Sequence, residues 1–365
     1  MYKGVFLSIL AFVIAGCDYF DDYDKFAKNS SYYKISFVED DYDANNKSDM
    51  EYIYEYDKNG YISKLIYDSN LDGIAEIEYL YKYNDKGYLL QADTKYNTIS
   101  LTESYKYSYN NNNYLEKIEY DYDGDSKTDY IYSYKYNSLG YLESLKIESA
   151  NSDDEVTFAT FEDKEDSPSK YFCDKGICLD YLIYPQNSPT LLAPIPQNTP
   201  NSNSIFSQSL SNKVNIAYNY FYNSKNLIEK IEIDYNKDGV ADSVFKYYYN
   251  DKDYLVKVAY DYDANLVDDY NYYYRYNSNG LLEALDIDYN GDEKVDISYL
   301  YSYNSDKLLD KFSVDYYADG KIDAIYNYTY KLRLLKEIKI DANGDSKVDR
   351  VIRYNWIEYP QGNLI

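Results

Sequence analysis

Tyrosines recur at every second position in short stretches along this chain. After Asp129 the sequence runs Tyr130-Ile131-Tyr132-Ser133-Tyr134-Lys135-Tyr136. The same comb returns as Tyr270, Tyr272, Tyr274 and Tyr276, and as Ile297, Tyr299, Tyr301 and Tyr303. A period of two puts these side chains on one face of a β-strand and does not trace the 3.6-residue period of a helix. A turn follows each comb, as in Tyr136-Asn137-Ser138-Leu139-Gly140-Tyr141-Leu142 and Tyr83-Asn84-Asp85-Lys86-Gly87-Tyr88-Leu89. Asn113 and Asn226 replace the glycine in two copies. Gly and Asn share a tolerance of positive φ, so the exchange predicts a left-handed turn position. A second strand, such as Leu115 to Tyr120, then leads into an acidic loop. Each repeat therefore predicts one hairpin, and the hairpins chain into a meander.

The acidic loops set the period. They begin at Asp41, Asp68, Asp121, Asp234, Asp261, Asp288, Asp315 and Asp341, with decayed copies near Thr94, Glu148 and Ser207. Successive starts lie 26 or 27 residues apart, except for one interval of 59. The long interval holds Cys173, Cys178 and a Pro/Asn/Ser-rich stretch, Pro185 to Ser204, that reads as a linker or exposed loop. The expected organisation is a signal peptide (1–16), a tether (17–32), a first repeat block (33–165), an insertion (166–204), a second block (205–356) and a tail (357–365). The expected fold is all-β: an antiparallel meander of 27-residue hairpins coiled into a β-spiral or solenoid-like array. A β-propeller with two repeats per blade is the alternative. The comb reads as core packing, because it recurs in nearly every repeat; a row of rings that stacks on sugars is the competing reading.

The N-terminus carries a processing signal. Met1-Tyr2-Lys3 is a basic start, and Val5 to Ala15 is an apolar run of 11 residues, below the ~20 that a spanning helix needs. The run ends Ile14-Ala15-Gly16-Cys17, which resembles the bacterial lipobox, with Ile14 where leucine is commonest. The resemblance implies that the Cys17 thiol is diacylated with palmitate-type chains and becomes the first mature residue. It also implies a lipoprotein of the bacterial cell envelope, facing the periplasm or the cell surface. Asp18 resembles an inner-membrane retention signal of enterobacterial lipoproteins. Cys173-Asp174-Lys175-Gly176-Ile177-Cys178 reads as a tight hairpin that places Cys173 opposite Cys178 for a disulfide, with two free thiols or half of a metal site as the alternatives.

Composition removes several functions. The 365 residues hold 63 Asp+Glu against 37 Lys+Arg, a net charge of −26, with no histidine and 56 tyrosines. Without histidine there is no Ser-His-Asp or Cys-His site and no histidine metal centre. A pI near 4.3 argues against nucleic-acid partners, whose phosphates need clustered Lys and Arg. An enzyme is not expected either, because every acidic cluster is repeated while a catalytic constellation is normally unique.

The acidic clusters carry the remaining chemistry. Their consensus, Asp-x-Asp/Asn-x-Asp/Asn-Gly-x-x-Asp, sets oxygen ligands at positions 1, 3, 5 and 9, with glycine at 6 for the reversal. Complete copies are Asp121, Asp123, Asp125, Asp129; Asp234, Asn236, Asp238, Asp242; Asp261, Asp263, Asn265, Asp269; Asp288, Asn290, Asp292, Asp296; and Asp341, Asn343, Asp345, Asp349. Asp41, Asp43, Asn45 and Asp49 form a further copy, with Asn46 at the glycine position. Asp68, Asn70, Asp72 and Glu76 end in glutamate, and Asp315, Asp319 and Asp323 have Tyr317 at position 3. Alternate oxygens around one hard cation fit calcium, and several ions are expected. An EF-hand is excluded, since position 12 is Tyr132 or Phe245 inside a strand. The loops resemble the nine-residue calcium hairpins of integrin-type propeller blades and, more loosely, thrombospondin type 3 repeats. Turn chemistry alone, for which Asp, Asn and Gly are well suited, is the bland alternative.

The Tyr-Asn-x-x-Gly-x-Leu turn between alternating strands resembles the YD repeats of RHS-type proteins, over most of residues 41–356. That resemblance implies a long β-meander wound into a spiral or shell. Arginine usually follows the glycine in that family; Tyr61, Tyr88, Tyr141 or Leu281 stands there in this chain. Neither a cleavage core nor a toxin tail after Asn355 is apparent. The expectation is a lipid-anchored, calcium-stabilised structural, adhesive or protein-binding module of the envelope. It would meet the membrane through its lipid and an envelope protein or glycan through its body. A glycan- or peptidoglycan-binding protein using exposed tyrosine faces is the alternative.

Overall fold

The computed structural model describes residues 32–150 and 215–359, whose compact unit runs over Ile35–Ser152 and Val214–Trp356. The described residues form twenty strands and no helix. Before the insertion come β1 (Tyr32–Asp41), β2 (Met50–Tyr56), β3 (Ile62–Asp68), β4 (Ile77–Tyr83), β5 (Leu89–Tyr96), β6 (Leu101–Tyr109), β7 (Leu115–Asp121), β8 (Tyr130–Tyr136) and β9 (Leu142–Ser149). After it come β10 (Asn215–Tyr222), β11 (Ile228–Asp234), β12 (Ser243–Tyr249), β13 (Leu255–Asp261), β14 (Tyr270–Tyr276), β15 (Leu282–Asp288), β16 (Ile297–Tyr303), β17 (Leu309–Asp315), β18 (Ala324–Lys331), β19 (Leu334–Asp341) and β20 (Arg350–Tyr359).

Each strand pairs antiparallel with its sequence neighbours, and β9 pairs with β10 across the insertion. β20 also pairs with β1. The meander therefore closes into a 20-stranded barrel, which corrects the expected spiral or solenoid and its propeller alternative. The reason is physical. A hairpin repeat specifies pairing between sequence neighbours and says nothing about whether the two outer edges meet. Once they meet, no unpaired edge is left.

The comb faces inward. Tyr132 pairs with Ile147 and Tyr134 with Leu145, and these four side chains are 0–6% exposed. Ile118, Ile338 and Val314 on the same face are fully buried. The opposite face carries ion pairs across and along strands: Glu78 between Lys64 and Lys95, Arg275 with Asp286, Glu337 with Lys339. An apolar interior under a charged wall reverses the pattern of a membrane-spanning barrel, whose outer band must be apolar. The tyrosine comb is thus mostly core, with its last ring at the turn rim partly exposed, as at Tyr276 and Tyr303.

The eight acidic loops each follow an odd-numbered strand and gather at one rim, and the Tyr-Asn turns gather at the other. At every turn-side hairpin the register shifts just before the last aromatic-side residue, as between Lys135 and Tyr136. This bulge adds local twist. It also points the last tyrosine back along the wall. Tyr109, Tyr136, Tyr249 and Tyr276 donate their hydroxyl protons at 2.8–2.9 Å to the carbonyls of Leu89, Leu115, Ile228 and Leu255, one repeat earlier. Tyr222 does the same to Leu142 across the insertion, and Trp356 Nε1 takes the role in the last repeat by donating to Leu335.

Candidate metal centres on the acidic rim

Eight acidic loops occupy one rim. They hold 27 carboxylates against 6 lysines, so −21 of the chain's −26 is concentrated there. Local hydrogen bonding explains their shared geometry. The position 9 amide donates to the carbonyl just before position 1, as from Asp129 to Tyr120 and from Asp242 to Ile233. The position 9 carboxylate accepts from the position 2 amide, as at Asp129 from Tyr122 and Asp269 from Tyr262. The position 1 carboxylate is buried and caps amides at positions 4 to 6. Asp121 accepts from Gly124 and Ser126, and Asp261 from Asn265 and Leu266.

The chain reverses through two left-handed residues, at positions 4 and 6, where one glycine at 6 was expected. In the Asp121 loop they are Gly124 at φ 77° and Ser126 at 71°; in the Asp261 loop they are Ala264 at 54° and Leu266 at 75°. Glycine relieves whichever position it occupies: 6 in the loops at Asp68, Asp234 and Asp315, but 4 in those at Asp121, Asp288 and Asp341. The remaining left-handed residues are strained for L side chains.

In four loops the predicted ligands converge. Oxygens of Asp41, Asp43 and Asp49 lie within 4.8 Å of one another, as do those of Asp68, Asp72 and Glu76, of Asp121, Asp123 and Asp129, and of Asp261, Asp263 and Asp269. Three hard carboxylates at that spacing suit a divalent cation with oxygen ligands. Burial raises the pKa of Asp129 and Asp269 above the usual carboxylate range, with neighbouring Asp charges adding to it. A cation would reverse that.

Other predicted ligands are engaged elsewhere. Asp125, Asp292 and Asp345 at position 5 pair with Lys127, Lys294 and Lys347 of their own loops at 2.6–2.9 Å, and these lysines hold their carboxyls below the usual range. Asp288 accepts from the amides of Asn290, Gly291 and Glu293 and from Asn271 Nδ2, so its oxygens serve the loop frame. Asn236, Asp238, Asn290, Asn343 and Asp319 likewise accept amide protons two residues on, or hold Asx-type turns. Of the decayed copies, Thr94 and Glu148 lie inside β5 and β9. Ser207, Cys17, Cys173 and Cys178 lie outside the described residues.

Two features escaped the sequence reading. Glu103 takes the place of the comb's first tyrosine in β6, opposite Thr94 and in line with Tyr105 and Tyr107. Burial pushes its pKa up to about 7, although the hydroxyls of Tyr120 and Tyr96 donate to it and pull it down. The break in the comb was visible in the sequence, but not its inward aim. The second is the seam between β1 and β20. Arg350 Nε donates to Asp40 Oδ1 at 2.8 Å, its guanidinium lies 4.3 Å over the Tyr42 ring, and Arg353 pairs with Asp41 at 3.2 Å.

No protein-family model matches the sequence, and no curated relative does. Among solved structures, a TcdB2–TccC3 toxin structure is 11% identical with a TM-score of 0.41, covering 88% of this chain. This chain spans only 15% of that one's length. The Photorhabdus luminescens Tc holotoxin pore is 12% identical at a TM-score of 0.34, covering 87% of this chain and 16% of its own. A porin-like protein from Bacteroides uniformis is 10% identical at 0.34, covering 88% of this chain and 96% of its own. These likenesses are too distant to carry functional weight.

Proposed function

We propose that the protein is a lipid-anchored, calcium-stabilised β-barrel of the bacterial cell envelope that acts as a structural, adhesive or protein-binding module and not as an enzyme. The observation that supports it best is the convergence of three carboxylates in each of four rim loops. Calcium in those four loops adds +8 and moves the rim from −21 to −13. The loop at Asp68 fills first, since it contains no lysine, whereas Lys246 lies 3.8 Å from Asp261 and pairs with Asp268 of that loop. The envelope assignment rests on Ile14-Ala15-Gly16-Cys17 after its apolar run.

Extracellular-type calcium sites bind at ~0.1–1 mM, so millimolar calcium stabilises each by only ~0.4–1.4 kcal/mol. Several such sites raise the melting temperature without being required for folding. Calorimetric titration should register calcium uptake and a higher melting temperature, with a much smaller effect of magnesium, which prefers tighter octahedral shells. Identical melting in calcium and in chelator, with no heat of binding, would return the loops to plain turns.

A further inference from the structure

At the turn rim, the tyrosine that follows the left-handed turn residue reaches over the next repeat. Tyr61 stacks on Tyr83 at 5.0 Å, Tyr114 on Tyr136 at 4.9 Å and Tyr254 on Tyr276 at 5.0 Å. Each hydroxyl end then lies against the next turn's glycine. A Cβ on Gly280 would sit 2.6 Å from Tyr254 Oη, and Gly87 and Gly140 are likewise pressed by Tyr61 and Tyr114. The overlying tyrosine has only glycine or asparagine at the next turn: Tyr88 stacks on Tyr109 with Asn113 there, and Tyr141 on Tyr222 with Asn226.

The rule breaks together at both positions. Leu281 stands where those repeats have tyrosine, and Lys307, at φ 61°, stands where the next turn would have glycine or asparagine. Among the described residues no ring stacks on Tyr303. In its place is an open groove of about 330 Å³, lined by Leu281, Glu283, Tyr303, Ser305, Lys307 and Asn279 among others. Tyr303 is held in place by its hydroxyl, which donates to the Leu282 carbonyl at 2.8 Å. Glu283 and Lys307 are exposed and form no ion pair with any described residue.

We infer that this groove is a carbohydrate-binding slot, in which one pyranose ring takes the place of the missing tyrosine. A sugar presents a C–H face that packs on an aromatic ring and a rim of hydroxyls that need both donors and acceptors. Tyr303 supplies the ring; Glu283 accepts, Lys307 donates, and Asn279 and Ser305 do either. An aromatic side chain of a peptide would use the ring but leave the polar rim unsatisfied. The inference stands apart from the calcium reading, because the slot lies at the opposite rim.

The test is saturation-transfer NMR on the full chain with cellobiose, with the disaccharide of N-acetylglucosamine, and with N-acetyltyrosinamide as the aromatic control. Transfer to the ring protons of at least one disaccharide is expected, unchanged by chelator. The double variant Leu281→Tyr/Lys307→Gly rebuilds the stacked arrangement of Tyr254 and Gly280 and should weaken sugar binding at least tenfold while melting no lower than wild type. Glu283→Gln, at an exposed position, should weaken it severalfold and covers the case in which the double variant does not fold. Absence of transfer from both sugars, binding of the tyrosinamide alone, or undiminished binding by Glu283→Gln and the folded double variant would each overturn the slot.

Discussion

Glu103 shows how one residue can set a pH response. Its carboxyl is surrounded by the inner face of β5 to β7, where Tyr96, Tyr105 and Tyr120 offer hydroxyls and no cation. Desolvation is the larger effect and raises its pKa from 4.5 to about 7 in the folded chain. A carboxyl whose folded value is raised destabilises the fold when it ionises. Stability should therefore fall as pH rises from about 4.5 to 7, then level off. Asp40, also raised by burial, acts in the same direction, so the difference between wild type and Glu103→Gln isolates one group. The variant should melt higher than wild type at pH 8 and match it near pH 4. Parallel melting curves at all pH values would remove Glu103 from this role.

At the level of the hairpin, the turn couples one repeat to the next. Gly140 has φ 85°, and a Cβ there would strike the Tyr114 ring. Gly140→Ala should therefore cost about 1–3 kcal/mol, from backbone strain and displacement of the stacked ring. The chain suggests the compensation. Leu227 precedes Asp253 as Leu281 precedes Lys307, so leucine admits a charged turn residue, whereas tyrosine precedes only glycine or asparagine. Adding Tyr114→Leu to Gly140→Asp should recover part of the loss in urea unfolding. If the double change loses as much as the sum of the singles, the tyrosine does not impose the glycine.

For the molecule as a whole, closure depends on β1 meeting β20. Asp40 is 1% exposed, and its partner Arg350 is the one guanidinium that reaches it among the described residues. Removing one member of a buried pair strands the other, so Arg350→Met should cost roughly 3–5 kcal/mol. It should also open the edges of β1 and β20 to protease. Asp40→Leu with Arg350→Met removes both charges and should restore much of the stability. Ser36 and Asn355, which bond across the same seam at 3.1 Å, would hold the ring in that double variant. Protease cleavage scattered evenly over the barrel in Arg350→Met would argue that the seam is not its weak point.

Some of this was legible from the chain alone. Alternation of tyrosines sets strand and face because the β period of two is local, and Asn-x-x-Gly marks a turn because only a few residues accept positive φ. Spacing of Asp121, Asp123 and Asp129 implied convergence, since a nine-residue reversal is short enough for its own hydrogen bonds to fold it. What tertiary structure decided is everything that joins distant segments. Asp40 and Arg350 lie 310 positions apart, and no repeat announces that they meet. The aim of Glu103 and the groove left between Leu281 and Tyr303 depend on which neighbours a side chain acquires. A repeat encodes its own hairpin through local dihedrals and periodicity. Ring closure and the departures from the repeat are set by contacts between turns of chain that the period brings side by side but does not describe.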